Sequence, residues 1–111
     1  MNYELDFTDT FTEDLDSLTA YISLESPSKA LEYYDSIRAY TIKELSFMPN
    51  TAPLYRHKLP PHLKQHEGKV RKLVINKTTL VYLRVYPQKK LVTVLHGLAG
   101  PKLHIWASLS T

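Results

Sequence analysis

The chain contains no cysteine, which excludes a disulfide framework and a thiolate zinc site. No apolar run approaches the roughly 20 residues that a membrane-spanning helix requires. The opening MNYELDF has neither the basic n-region nor the apolar h-region of a secretory signal. A cytoplasmic protein with no membrane partner is therefore expected. Internal repeats, low-complexity tracts and linker-like stretches are also missing from the sequence, and 111 residues with 43% hydrophobic content are expected to form one domain, 1–111, around a modest core.

Acidic residues are scarce in one half only. Residues 1–55 hold three basic and ten acidic side chains, whereas residues 56–111 hold eleven basic ones, all five histidines and a single acid, Glu67. The overall charge of +3 thus conceals an acidic front half and a basic back half. A basic field attracts phosphate backbones or acidic proteins. The plainer alternative is Lys and Arg scattered over solvated strand faces.

In chain order, Tyr3, Leu5 and Phe7 alternate with Asn2, Glu4 and Asp6, the pattern of a short half-buried strand. Thr10-Phe11-Thr12-Glu13 fits a capping box, and Phe11, Leu15, Leu18 and Ile22 recur at helical spacing, predicting a helix from about Thr10 to Leu24. Asp9, Glu13, Asp14 and Asp16 cluster near the positive end of its dipole. Ser26-Pro27 starts a second helix, with Ala30, Tyr34, Ile37, Thr41 and Leu45 as its buried stripe and Met48-Pro49 as its end. The short link between the two predicts an antiparallel hairpin. Tyr21, Tyr33, Tyr34 and Tyr40 are read as packing residues.

Residues Pro49 to Gly68 carry four prolines and three histidines and predict a long irregular loop of the functional or mobile kind. His62 and His66 are spaced by four, but Pro60-Pro61 precede them and no third ligand is evident, so no metal is expected and both are read as solvated loop residues. From Val70 onward, three runs rich in β-branched residues, Leu and Tyr are separated by Asn76-Lys77 and Pro87-Gln88, an antiparallel meander. In its middle run Val81, Leu83 and Val85 share one face; Tyr82, Arg84 and Tyr86 share the other, which is expected to be polar. The place of the N-terminal strand in the sheet stays open. Leu103, Ile105 and Trp106 of the final segment are expected to fold back onto the core.

The pieces YELDF, FTEDLDSLTAYI, SPSKALEYYDSI, LSFMP, GKVRKLVI, TLVYLRVY and LVTVLHG, in this order over nearly the whole chain, resemble the RelE/ParE superfamily of toxins from type II toxin-antitoxin modules. The resemblance implies an α+β fold: a short N-terminal strand, a two-helix hairpin, then a three-stranded antiparallel meander, with the helices packed on one face of a twisted sheet. It implies a growth-inhibiting toxin. In the RelE branch such a protein cuts messenger RNA on the ribosome; in the ParE branch it binds DNA gyrase. It also implies a cognate antitoxin, whose acidic C-terminal segment would suit the basic half.

Cleavage of RNA requires removal of a 2′-hydroxyl proton, stabilisation of charge on phosphate oxygens and protonation of the leaving 5′-oxygen, and it needs no metal or cofactor. The candidates for this chemistry are Arg84, His96 and Lys72. Arg56, Lys58, Arg71, Tyr82 and His104 are candidates for RNA contact. Arg71 is expected to face away from Lys72. Thr79 and Leu98-Ala99 stand where RelE-type nucleases often carry arginines. A ParE-like gyrase inhibitor, or an inactive antitoxin-binding relative, therefore remains open beside the ribosome-dependent endoribonuclease.

Overall fold

The computed structural model describes residues 2–75 and 79–99; the Asn76-Lys77 turn, His104 and the expected return of the C-terminal segment lie outside the described residues. Strand β1 (Glu4–Phe7) leads into helices α1 (Asp9–Ser23) and α2 (Pro27–Phe47), followed by strands β2 (Val70–Ile75), β3 (Thr79–Tyr86) and β4 (Leu91–Ala99). Short 3-10 helices occupy Pro49–Thr51, Pro61–His66 and Pro87–Lys89. The sheet order is β1-β4-β3-β2. β2, β3 and β4 form the expected antiparallel meander. β1 joins at the β4 edge and runs parallel to it, which makes the sheet mixed.

Local chemistry fixes where the helices begin. α1 starts slightly earlier than the capping-box reading predicts, because Thr8 and not Thr10 is its cap. The Thr8 hydroxyl accepts from the Phe11 amide at 3.1 Å and donates to the Val94 carbonyl at 2.8 Å. One side chain thereby serves an orphan amide of the helix and a carbonyl of β4, a double role that Thr10, inside the helix, does not fill. α2 begins where the sequence indicates, with the Ser26 hydroxyl accepting from the Lys29 amide at 3.4 Å and Pro27 at the first helical position. It ends before Met48-Pro49.

The hairpin covers one face of the sheet. Phe11 and Leu15 of α1, Ile37 and Leu45 of α2, and Ile75, Val81, Leu83, Val92 and Val94 of the strands form one buried cluster. The opposite face departs from expectation. Leu59 and Leu63 of the 49–68 segment close over Val70, Tyr82 and Leu95 as a second buried cluster, with Tyr55 packed against it. The middle of the outer face is therefore apolar, because each strand of the meander contributes a large nonpolar side chain on that side. Burial of Leu59 and Leu63 stabilises the segment by about 1.5–3 kcal/mol each before its ordering cost. The segment is further tied to β2 at its start, where Leu54 bridges Arg71 and the Tyr55 amide donates to the Val70 carbonyl at 2.8 Å.

One irregularity redirects the C-terminal half of β4. Leu83 pairs with Val94 but Tyr82 pairs with His96, so Leu95 is an extra residue in a bulge. Such a bulge re-aims the side chains beyond it. Past Val94 the strand has no β1 neighbour and lies against α1, where a Cβ added to Gly97 would come within 3.1 Å of the Phe11 ring. Phe11 is buried, so the ring can yield only by repacking its neighbours. Gly97→Val is expected to destabilise the fold by about 1–3 kcal/mol through overpacking, read as a lower denaturation midpoint with an unchanged urea m-value.

Candidate functional site

The close approach of β4 to α1 brings Asp14 to His96. One carboxylate oxygen of Asp14 accepts from His96 Nδ1 at 2.7 Å and from the Gly97 amide at 3.2 Å. On its other side, His96 Nε2 lies 2.9 Å from Nε2 of His62, which the 3-10 helix Pro61–His66 carries to the sheet edge. The rings meet edge to face at a centroid distance of 5.0 Å. His96 is 8% exposed, whereas His62 faces solvent.

The protons of this chain follow from its inner end. An ionised carboxylate only accepts, so His96 Nδ1 carries a hydrogen and its Nε2, in the neutral ring, is an acceptor. His62 must then donate through Nε2, which leaves a lone pair on its outward nitrogen, Nδ1. A proton taken up there can be matched by release of the inner proton toward His96, which is itself hydrogen-bonded to Asp14. Such an arrangement can serve as a proton relay with His62 at its exposed end. It is a linear hydrogen-bond chain, and no group of three or more His, Cys, Asp or Glu among the described residues is arranged to hold a metal ion.

A second histidine on the same short helix meets Arg84. The guanidinium donates to His66 Nδ1 at 3.1 Å and lies over the Tyr86 ring, 4.6 Å from its centroid. His66 thus acts as a neutral acceptor. Both histidines are held below their ordinary pKa of 6.5: His62 by burial of its inner edge and then by charge on His96, partly opposed by Asp14, and His66 by burial and then by the Arg84 cation.

The remaining candidates divide by position. Lys72 pairs with Tyr82, and Tyr82 with His96, so the three form a row across β2, β3 and β4 with Lys72 and His96 about 10 Å apart. Arg84 is one same-face step along β3. The three catalytic candidates accordingly border the apolar plug and do not converge on one point. Tyr82 is only 1% exposed, packed edge to face on Tyr55 at 5.3 Å, and burial raises its pKa. The expectation that it contacts RNA is corrected: its ring is a core residue of the second cluster. Arg71 does face away from Lys72, and its Nη1 donates to the carbonyls of Asn50 at 3.1 Å and Ala52 at 2.6 Å. This ties the chain after α2 to the sheet and removes Arg71 from the outer face. Arg56 and Lys58 are exposed on the 49–68 segment.

Two readings of the sequence are overturned on the histidine side. His66 is buried against Arg84, and His62, though exposed to solvent, is hydrogen-bonded to His96 of β4, so neither is a free loop residue. Asp14 is more than a dipole-complementing acid, since its contact with His96 closes over a separation of 82 residues.

No family model matches the chain, and no curated protein sequence matches it. Solved structures do. A chain of the chromosomal ParDE toxin-antitoxin system from P. aeruginosa superposes with a TM-score of 0.66 at 23% identity, covering 87% of this chain and 95% of that one. The fold is that of the RelE and ParE toxins. A chain of the RelBE2 toxin-antitoxin complex from Mycobacterium tuberculosis gives 0.62 at 19% identity, covering 90% and 93%. An arginine-to-alanine double mutant of the E. coli toxin RelE in the free state gives 0.55 at 14%, covering 99% and 95%. Within this RelE/ParE fold, the described strand-helix-helix-meander order matches the architecture expected from the sequence.

The histidine pKa shifts carry a sign. An unfolded chain binds protons at His62 and His66 near pH 6.5, while the folded chain resists them, so stability is full above that value and falls as pH drops through the lowered folded pKa values. Replacing both with Gln is expected to flatten the stability profile below pH 6.5. Urea melts at pH 7.5 and at stepped acidic pH measure it; an unchanged slope would contradict the assignment of both rings as neutral.

Proposed function

We propose that this chain is the toxin of a type II toxin-antitoxin pair and that it arrests growth by metal-independent cleavage of RNA. The fold supports the toxin reading. The observation that carries the chemistry is the Asp14–His96–His62 hydrogen-bond chain, whose outer member, His62, is an exposed residue with Nδ1 outside the chain. In this reading His62 removes the 2′-hydroxyl proton, and the oxygen attacks the adjacent phosphorus to form a 2′,3′-cyclic phosphate. The 5′-oxygen leaves with a proton returned from the protonated relay. His96 and Asp14 position His62 and take up the charge, while Arg84 and Lys72 lie on the same side of the sheet to meet phosphate oxygens. A ribosome-bound messenger RNA is the proposed substrate. The proposed antitoxin is a protein with an acidic segment complementary to residues 56–111.

The gyrase-binding reading draws on a different observation. Leu59 and Leu63 cover the centre of the outer face, which narrows the surface open to nucleic acid, and the ParDE chain superposes with a higher TM-score than RelE. Asp14 and His96 fasten α1 to β4 in either reading, but the further bond from His96 to His62 adds an acid-base group that a protein binder does not require. RNA cleavage therefore accounts for more of the geometry.

Induction in a bacterial host, with mapping of RNA ends and of gyrase-linked DNA breaks, separates the two. Growth arrest with new messenger RNA ends is expected. His62→Ala, at an exposed position, should lower cleavage by roughly 10²–10⁴-fold without loss of fold. Asp14→Asn should lower it while moving the pH profile. The acid limb of kcat/KM should fall below pH 6.5, where His62 becomes protonated. DNA breaks with intact RNA would overturn the nuclease reading in favour of gyrase.

A further inference from the structure

Beyond the relay, the outer face carries a cleft of whose lining residues only Arg84 enters the proposed chemistry. It lies where β3 turns into β4, encloses about 460 Å³, and is lined by Lys69, Arg84, Tyr86, Gln88 and Lys89 together with Val85 and Pro87. None of these lining residues is acidic. Three cations therefore share one concavity with no acidic residue in its walls, and their combined field favours an anion there.

Two of the cations are held in advance. Arg84 is fixed from one side by its bond to His66 Nδ1 and rests on the Tyr86 ring. Lys89 Nζ sits 5.6 Å from the centroid of the same ring. A guanidinium has five donors in a fixed fork, and a single contact to His66 leaves others to meet an oxyanion. The Tyr86 ring thus acts as a shared cation-π support that places Arg84 and Lys89 side by side. Lys69 enters from the start of β2, and Lys90 closes the turn in the left-handed region at φ 52°.

The cleft is also set at a defined distance from the relay. His62 contacts His96 and His66 contacts Arg84, and both ride on the 3-10 helix Pro61–His66. Four residues of such a helix span about 8 Å. We propose that this cleft binds a backbone phosphate of single-stranded RNA flanking the bond presented to His62, an inference that rests on the nuclease reading for its choice of ligand. The strand would then run along the rim of the apolar plug, one phosphate held by Lys69, Arg84 and Lys89 while a neighbouring linkage lies at the relay.

A fluorescent, fully 2′-O-methylated oligoribonucleotide, which lacks the attacking hydroxyl, tests binding apart from cleavage. Lys69→Glu and Lys89→Glu are each expected to weaken its binding roughly 5–10-fold and to reduce the salt slope by about one. Lys43→Glu, an equal charge change on the exposed side of α2, should shift binding less than about twofold. With cleavable RNA, Lys89→Glu should raise KM and leave kcat near that of the unchanged protein. Losses no greater than that of Lys43→Glu would overturn the cleft as a phosphate site. So would binding of an acidic peptide at the cleft with no binding of the oligonucleotide, which would make a protein segment its occupant. Binding that depends on Lys69 and Lys89 in a protein that cleaves no RNA would uphold the cleft and sink the nuclease reading alone.

Discussion

The Asp14 carboxylate is the hinge of the molecule. By accepting from His96 Nδ1 and from the Gly97 amide it fastens the first turns of α1 to the part of β4 that β1 no longer pairs. The approach is close enough that a side chain at position 97 would press on the Phe11 ring. Packing and polarity support each other here. The Phe11 contact brings the backbones together, the carboxylate gives the Gly97 amide an acceptor, and the same oxygen dictates the His96 tautomer. Replacing the acid by an amide would keep the size and lose the rule that sets the proton positions.

A second constraint comes from the 49–68 segment. Its prolines limit the backbone, but Leu59 and Leu63 decide its course, because Val70, Tyr82 and Leu95 offer an apolar patch that one chain segment can cover. Covering it costs the protein a broad polar face. In return the segment delivers His62 to His96 and His66 to Arg84 from two points on a single short helix. The histidines are thus held by hydrophobic burial elsewhere in the segment, which is why an exposed imidazole keeps a fixed geometry.

Much of the fold is legible in the sequence because it rests on local rules. Alternation in TLVYLRVY, the Ser26-Pro27 start and the Met48-Pro49 stop each follow from near neighbours, and the structure has a strand, a helix start and a helix end there. The polar face fails for a reason that alternation cannot register. Tyr82 and Arg84 share a side, yet the tyrosine is buried under leucines from some twenty residues upstream and the arginine is left at the rim. The histidine relay is equally hidden, since Asp14, His62 and His96 belong to a helix, a loop and a strand. No spacing in the sequence joins them. The bulge at Leu95 is the feature that brings His96 into line, and nothing in LVTVLHG announces it.

The charge division of the chain acquires a different meaning once folded. One acid of the front half is spent internally on His96, and the basic half does not form the continuous sheet surface that its composition suggests. Its cations instead frame an apolar centre: Lys72 on one flank, Arg84 with Lys69 and Lys89 at the β3-β4 end, and the histidine pair at the open edge of β4. A polyanion lying across the middle would have to bury charge against Leu59 and Leu63, which desolvation opposes. On the proposed nuclease reading, an RNA strand following the rim would keep each phosphate near a cation and solvent while one linkage meets His62. In that reading the plug would act as a guide, restricting the bound strand to the path that the basic residues mark.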